Sequence, residues 1–318
     1  MILAFHITKA GAVLAVPNTA PDDYPPKGDY IWLHFDANDP ATETWLTTDK
    51  AVDSLAATNL LAGDSRPRTM VHDGAVLINL RGINLNPKSD PEDMVGIRFF
   101  IEKNRIISVE RRPLKATGDI VVGLKSQSPP RTVGEFLTRF TQSLIERLNP
   151  TIIELNERVD DLEERADSKE GLTDKASLSE LRRQAILLRR YLAPQRDALN
   201  ALITQPVKFI SEEERLRLRD CADQSTRVTE ELDAIRERCA VVKDQLTDQR
   251  AEDMNRNMMI LSVVAAIFLP LGLISGMMGI NVGGMPWTES ANGFWYVTAI
   301  VLIIGLIQLL VFRLLKWL

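Results

Sequence analysis

The sequence predicts an α+β membrane protein: a cytoplasmic α/β domain, a long helical stalk of coiled-coil-like helices, and two C-terminal transmembrane helices. Three observations carry this. Strand and helix signals alternate over roughly the first 125 residues. Apolar residues then recur at spacings of three and four. Two long uncharged runs close the chain, Asn257–Thr288 and Phe294–Phe312.

Composition narrows the classes of function. The 318 residues carry a net charge of −5 and a pI near 5.4, which argues against nucleic acid as a partner. Two cysteines and three histidines are too few for a disulfide scaffold or a dense metal site. No P-loop, dinucleotide-binding glycine pattern or catalytic-triad spacing is present, so neither an enzyme nor a bound cofactor is expected. A mean hydropathy of −0.07 averages two unlike parts.

The α/β domain is assigned to residues 1–130. "AFHITKAGAVLAV" and "RTMVHDGAVLINL" read as hairpins, the second turning at Asp73–Gly74. "YIWLHFDA" and "VGIRFFIEKNRIISVER" supply further strands, the latter turning near Lys103–Asn104. "TETWLTTDKAVDSLAATNLLAG" reads as one helix ending at Gly63. His6, His34 and His72 are scattered here without an evident role.

The helical stalk is assigned to residues 131–256. Thr132 with Glu135 fits a capping box, weakened by Gly134. Ile152, Leu155, Val159 and Leu162 form one apolar stripe. Leu178, Leu181, Ala185, Leu188, Leu192, Leu199 and Leu202 form another, ended by Pro206. Ser211–Glu214 is a second capping box, after which residues 212–269 contain neither Gly nor Pro. One helix of about 87 Å can therefore run from the cytoplasm into the first span. Val228, Leu232, Ile235, Cys239, Val242 and Leu246 make its heptad stripe, and Cys221 falls on the same line. The two cysteines are about 27 Å apart along the helix, so they read as core packing rather than a shared metal site.

Met259–Met278 is 20 residues and Phe294–Phe312 is 19. Each suffices to cross the hydrocarbon core. The segments are 257–280 for the first span, 281–293 for a periplasmic loop, 294–313 for the second span and 314–318 for a cytoplasmic tail. Arg250 and Arg256 precede the first span, Arg313 and Lys316 close the second, and the loop carries only Glu289. The positive-inside rule places both termini in the cytoplasm and the short loop outside. Trp287, Trp295, Tyr296 and Trp317 fit aromatic belts.

A second face of the long helix, well rotated from the heptad stripe, carries Ala240, Asp244, Thr247, Ala251, Met254 and Met258. It is small and mixed, and it suits a wet axis among copies of the same helix. In the membrane this face continues as Met258, Leu261, Ala265, Leu269, Gly272, Gly276 and Gly279. Two roles fit the stripe, alone or together. One is tight helix packing through Gly272-x-x-x-Gly276; the other is the lining of a pore. Asn281 follows at once, and a ring of carboxamides at a pore mouth offers acceptors to a cation or its waters without a fixed charge. Asp244 is the candidate for an acidic ring in a cytoplasmic vestibule. Pro270 is tolerable in a span if a neighbour satisfies the freed carbonyl. Met277, Met278 and Met285 are soft thioethers that suit lipid or helix packing better than zinc. "DDLEER" and "LRRQAILLRRY" read as solvated or interhelical salt-bridged faces.

At this point Gly279-Ile280-Asn281, two C-terminal spans and a very long preceding helix resemble the CorA-type divalent cation transporters. Their signature there is Gly-Met-Asn; this chain has Ile280 in the middle. "GINVGGMPW", "FWYV", "LRRYLAPQRDAL", "SRPRTMVHDGAVLINLRGIN" and the closing "KWL" are similar to the zinc-transporting ZntB branch. The resemblance implies a homopentameric funnel whose first span lines the pore, and zinc uptake coupled to protons. It carries Gly279 and Asn281 over as signature positions, and Met258, Leu261, Ala265, Leu269, Gly272 and Gly276 as the pore-facing stripe. The spans hold no Cys, His, Asp or Glu, so a largely hydrated ion is expected to pass. A Mg²⁺, Co²⁺ or Ni²⁺ channel is the alternative within this class. A membrane-anchored coiled-coil scaffold or sensor is the alternative outside it.

Overall fold

The computed structural model describes residues 3–15, 29–48, 52–63, 65–126, 128–167, 175–280, 282–287 and 289–315. Asn281, Lys316 and Trp317 lie outside them. The chain divides into two compact units, Met1–Lys243 and Asp244–Leu318.

The first unit is built on seven strands: β1 (Leu3–Ile7), β2 (Val13–Ala15), β3 (Tyr30–Asp36), β4 (Arg68–His72), β5 (Ala75–Gly82), β6 (Val95–Ile101) and β7 (Arg105–Glu110). Their order is β2-β1-β3-β7-β6-β5-β4. Every neighbouring pair is antiparallel except β3 with β7. Asp73 and Gly74 both take positive φ, 50° and 79°, the backbone a tight hairpin turn requires.

Side chains alternate across the sheet with the period of two that a pleated strand imposes. Trp32, Ile78, Ile97, Phe99 and Ile106 enter one core cluster. Ile31, Leu33, Phe35, Leu77, Phe100 and Ile107 enter the other. Helices α1 (Pro40–Thr48) and α2 (Ser54–Leu61) supply Leu46, Ala56 and Leu60 to the second cluster. The single helix expected over 42–63 is thus two. Asp53 breaks it, because its carboxylate caps α2 by accepting from Ala56 N at 2.5 Å.

The first cluster is covered by α3 (Lys115–Leu124), α4 (Val133–Glu146) and parts of α6 (Lys175–Thr204) and α7 (Glu212–Met278). The sheet's core therefore draws on helices beyond residue 130: Phe136, Phe140, Leu199, Leu202, Leu218 and Cys221 all belong to it. α5 (Asn149–Asp167) and α6 bury the two expected stripes, Ile152, Leu155, Val159 and Leu162, and Leu178, Leu181, Ala185, Leu188, Leu192, Leu199 and Leu202. The charged clusters pair between helices. Arg238 of α7 binds Asp160 and Glu163 of α5, and Arg189 of α6 meets Asp233 of α7 at 2.7 Å.

Thr132 caps α4, with Glu135 N donating to Thr132 Oγ1 at 2.9 Å, while the Glu135 carboxylate accepts from Arg131 N at 2.8 Å, one residue before the expected reciprocal bond. Glu214 closes the second box through Ser211 N at 2.7 Å and also accepts from the Thr132 hydroxyl. A Cβ at Gly134 would run into that carboxylate. The glycine that looked like a weak point of α4 is what admits Glu214 to its N-terminus.

In the second unit, α7 continues unbroken to Met278 and α8 covers Gly293–Leu314. Both are long and apolar enough to cross a membrane. Their most apolar windows are 6% and 0% buried, so most of this surface has no protein cover within one chain. The connection is turn-rich, with Trp287 at φ 63° and Gly284 at φ 91°. A Cβ at Gly293 would lie 2.6 Å from the Trp287 carbonyl oxygen, so α8 can start there only with glycine.

Candidate functional site

α7 is one helix of 67 residues that contributes to both units. Its heptad stripe is buried as expected: Val228, Leu232, Ile235, Cys239, Val242 and Leu246 are all at most 6% exposed. About 120° around the helix at about 100° per residue, Asp244, Thr247, Ala251, Met254 and Met258 are exposed and Ala240 is half-buried.

Within the apolar part, Val263 is buried and Ile267, Pro270, Leu271 and Ile274 are half-buried. These residues share one face, and α8 lies against it. A Cβ built on Gly305 of α8 would touch Leu271 at 3.6 Å. The stripe Met258, Leu261, Ala265, Leu269, Gly272, Gly276 and Gly279 lies about 170° away by the same rotation. All seven are exposed, and nothing lies within 4 Å of a Cβ built on Gly272 or Gly276. The small face therefore points away from α8. Gly279 ends the helix, donating to Ser275 O at 3.1 Å, and Ile280 follows, exposed. The position that carries the amide, Asn281, is outside the described residues.

Pro270 lacks an N–H, which leaves the carbonyl four residues earlier, Ala266, without its helical donor. Gln308 of α8 supplies one: its Nε2 donates to Ala266 O at 3.4 Å. A polar side chain in an otherwise apolar span thus has a physical reason, which sequence reading supplied only in general form. At the end of the spans, Trp287 packs on Tyr296 at 6.2 Å and Phe294 on Trp295 at 5.5 Å between ring centroids.

No group of three or more His, Cys, Asp or Glu suited to a metal ion occurs among the described residues. Both cysteines are buried and unpaired with each other. Burial, with Asp220 and Glu146 nearby, pushes the Cys221 thiol up to about 12, and burial raises Cys239 as well.

This architecture has relatives. Residues 27–316 match the family described as CorA-like Mg2+ transporter protein. The chain is 35% identical over 290 residues to the divalent cation transporter CmaX of Pseudomonas aeruginosa, covering 91% of this chain and 87% of that one. It is equally 35% identical over 278 residues to the zinc transport protein ZntB of Pectobacterium carotovorum subsp. carotovorum, covering 86% and 84%. The structure of full-length CmaX matches with a TM-score of 0.87 at 33% identity, over 99% of this chain and 98% of that one. The chain belongs to the CorA-like family, whose members are metal-ion transporters and not enzymes. Gly279-Ile280-Asn281 led to the same family from sequence alone.

Proposed function

We propose that this protein is a homo-oligomeric zinc transporter of the bacterial-type inner membrane, five copies arranged as a funnel around a central pore. Met258, Leu261, Ala265, Leu269, Gly272, Gly276 and Gly279 line the conduit, Ile280 and Asn281 form its mouth, and Asp244 rings the cytoplasmic vestibule. Both termini stay in the cytoplasm, and zinc moves inward with protons. The observation that supports this most is the orientation of α7: its smallest face is turned away from α8, bare, and continuous with the exposed stripe from Asp244 to Met258. Its outer end, Gly272, Gly276 and Gly279, offers lipid no side chain, unlike Phe268 and Leu273 elsewhere on the helix.

The spans offer no thiolate, imidazole or carboxylate, the donors zinc prefers. The ion passes with most of its water, held through those waters by carboxamide and backbone oxygens. A broader divalent cation channel is the second reading, favoured by the equal similarity to CmaX.

Flux into proteoliposomes tests both. Zinc entry that exceeds Mg²⁺ entry, rises with an imposed pH gradient and falls at least tenfold in Asn281→Ala is the expected result. Mg²⁺ passing while Zn²⁺ does not assigns the broader channel. Flux indifferent to the pH gradient removes the proton coupling. No ion crossing at all leaves a membrane-anchored scaffold.

A further inference from the structure

The first unit holds a cavity whose chemistry has nothing to do with transported cations. It is about 250 Å³ and is lined by Arg81, Arg98, Arg111 and Arg112 with Asp93 and Tyr191. Four guanidiniums converge in a protein of net charge −5. Register explains how they meet. Arg81 of β5 pairs with Gly96 of β6, and Asn79 pairs with Arg98, so both arginines stand on one face of the sheet. Gly96 leaves room there: a Cβ at that position would already lie 3.9 Å from the Arg81 guanidinium carbon.

Among the described residues, Asp93 is the carboxylate that lines this cavity. Asp93 pairs with Arg112. Arg81 donates to the carbonyls of Met94 at 2.8 Å and Ser65 at 3.2 Å, and its guanidinium stacks 4.0 Å from the Tyr191 ring centroid. Arg190 covers the same ring at 4.6 Å. Arg98 donates to the carbonyl of Gly63, and Arg111 to that of Leu61 at 3.3 Å. Arg98 is 4% exposed and its Nε has no partner. Asp64, beside Gly63 in sequence, is outside the described residues.

Arg111 is exposed and Arg112 is 43% exposed, so the cost of burying a cation falls on Arg81 and Arg98. Burial first, then the neighbouring Arg111, Arg81 and Arg68, pushes the Arg98 guanidinium down to about 10. Burial lowers Arg81 too, with Arg112 and Arg190 adding to it. A folded chain that gathers such charge gains from an anion that neutralises it. Planar forks of N–H donors match tetrahedral oxyanions in pairs, and the volume is below that of a drug-sized pocket.

We infer that this cavity binds the phosphate group of a small anion, held by Arg98 and Arg111 with Arg81 and Arg112 at its sides. The site is separate from the conduit along α7 and stands whether or not the transport reading holds.

Calorimetric titration of the full-length protein in detergent, at physiological chloride, tests it with inorganic phosphate and with a nucleoside monophosphate. The expected result is one saturable binding event per chain for at least one of them. Arg111→Glu, at an exposed position, should weaken it at least tenfold without lowering the melting temperature. Arg98→Gln should abolish it, and Arg131→Glu, elsewhere on the unit, should leave it unchanged. Tighter binding of the monophosphate would identify a phosphorylated metabolite as the source; equal or weaker binding would identify free phosphate. No saturable heat with either, or an Arg111→Glu protein that binds as the parent does, overturns the inference.

Discussion

Single residues account for two features of the helices. Cys221 and Cys239 are the chain's only thiols, and both are buried in packed stripes with their thiolates disfavoured by burial. Reaction needs the thiolate, so a maleimide at neutral pH should label neither cysteine in the folded protein and both after denaturation; rapid labelling of the native form would contradict the packing. The Pro270–Ala266–Gln308 relation makes a sharper claim. Gln308→Leu should cost about 1 kcal/mol, the scale of hydrogen bonds between membrane helices. In a Pro270→Ala background, where residue 270 donates to Ala266 again, the same change should cost almost nothing. Equal losses of melting temperature in both backgrounds would show that Gln308 does not serve this carbonyl.

Elements show how far local signals reach. The two helix caps, all three hairpins and every heptad stripe were legible, because each depends on neighbours a few residues apart. α3 was not: it has no side-chain cap at Leu114, carries two glycines, and its β-branched centre looks like strand. Tertiary packing holds it, through buried Ala116, Ile120 and Leu124 and the Asp119 carboxylate that accepts from Arg147 and Ser143 of the α4 region at 2.5 Å. The split between α1 and α2 was missed because an apolar period continued across Asp53. Glu214 was half legible: Ser211 announced its box, but its second duty, 82 residues back at Thr132, is a long-range contact. Since it serves two helix N-termini, Glu214→Ala should destabilise the protein by about 1–2 kcal/mol, above the usual loss of one cap. Chemical denaturation would measure this, and a change within 0.3 kcal/mol would be too small for a shared cap.

At the scale of the whole molecule, the proposed conduit was legible as a stripe that narrows to glycines but ambiguous as to its role, since glycines serve both packing and pores. The structure removes one ambiguity: α8 does not use this stripe, so close packing on α8 is not its purpose. The arginine cavity was invisible in sequence because its members come from β5, β6, the β7 exit and α6, brought together only by strand register and the approach of Tyr191. The remaining question is what meets the bare face of α7.

Introduced cysteines answer it most directly, given two native thiols too buried to interfere. In liposomes, a membrane-impermeant, water-soluble thiol reagent should modify Ala265→Cys, Leu269→Cys and Gly272→Cys and block ion flux at each. Val264→Cys and Leu273→Cys, flanking positions that are also exposed in the single chain, should stay unmodified in lipid. Modification of the flanking pair with the small face untouched would contradict a water-filled path along α7.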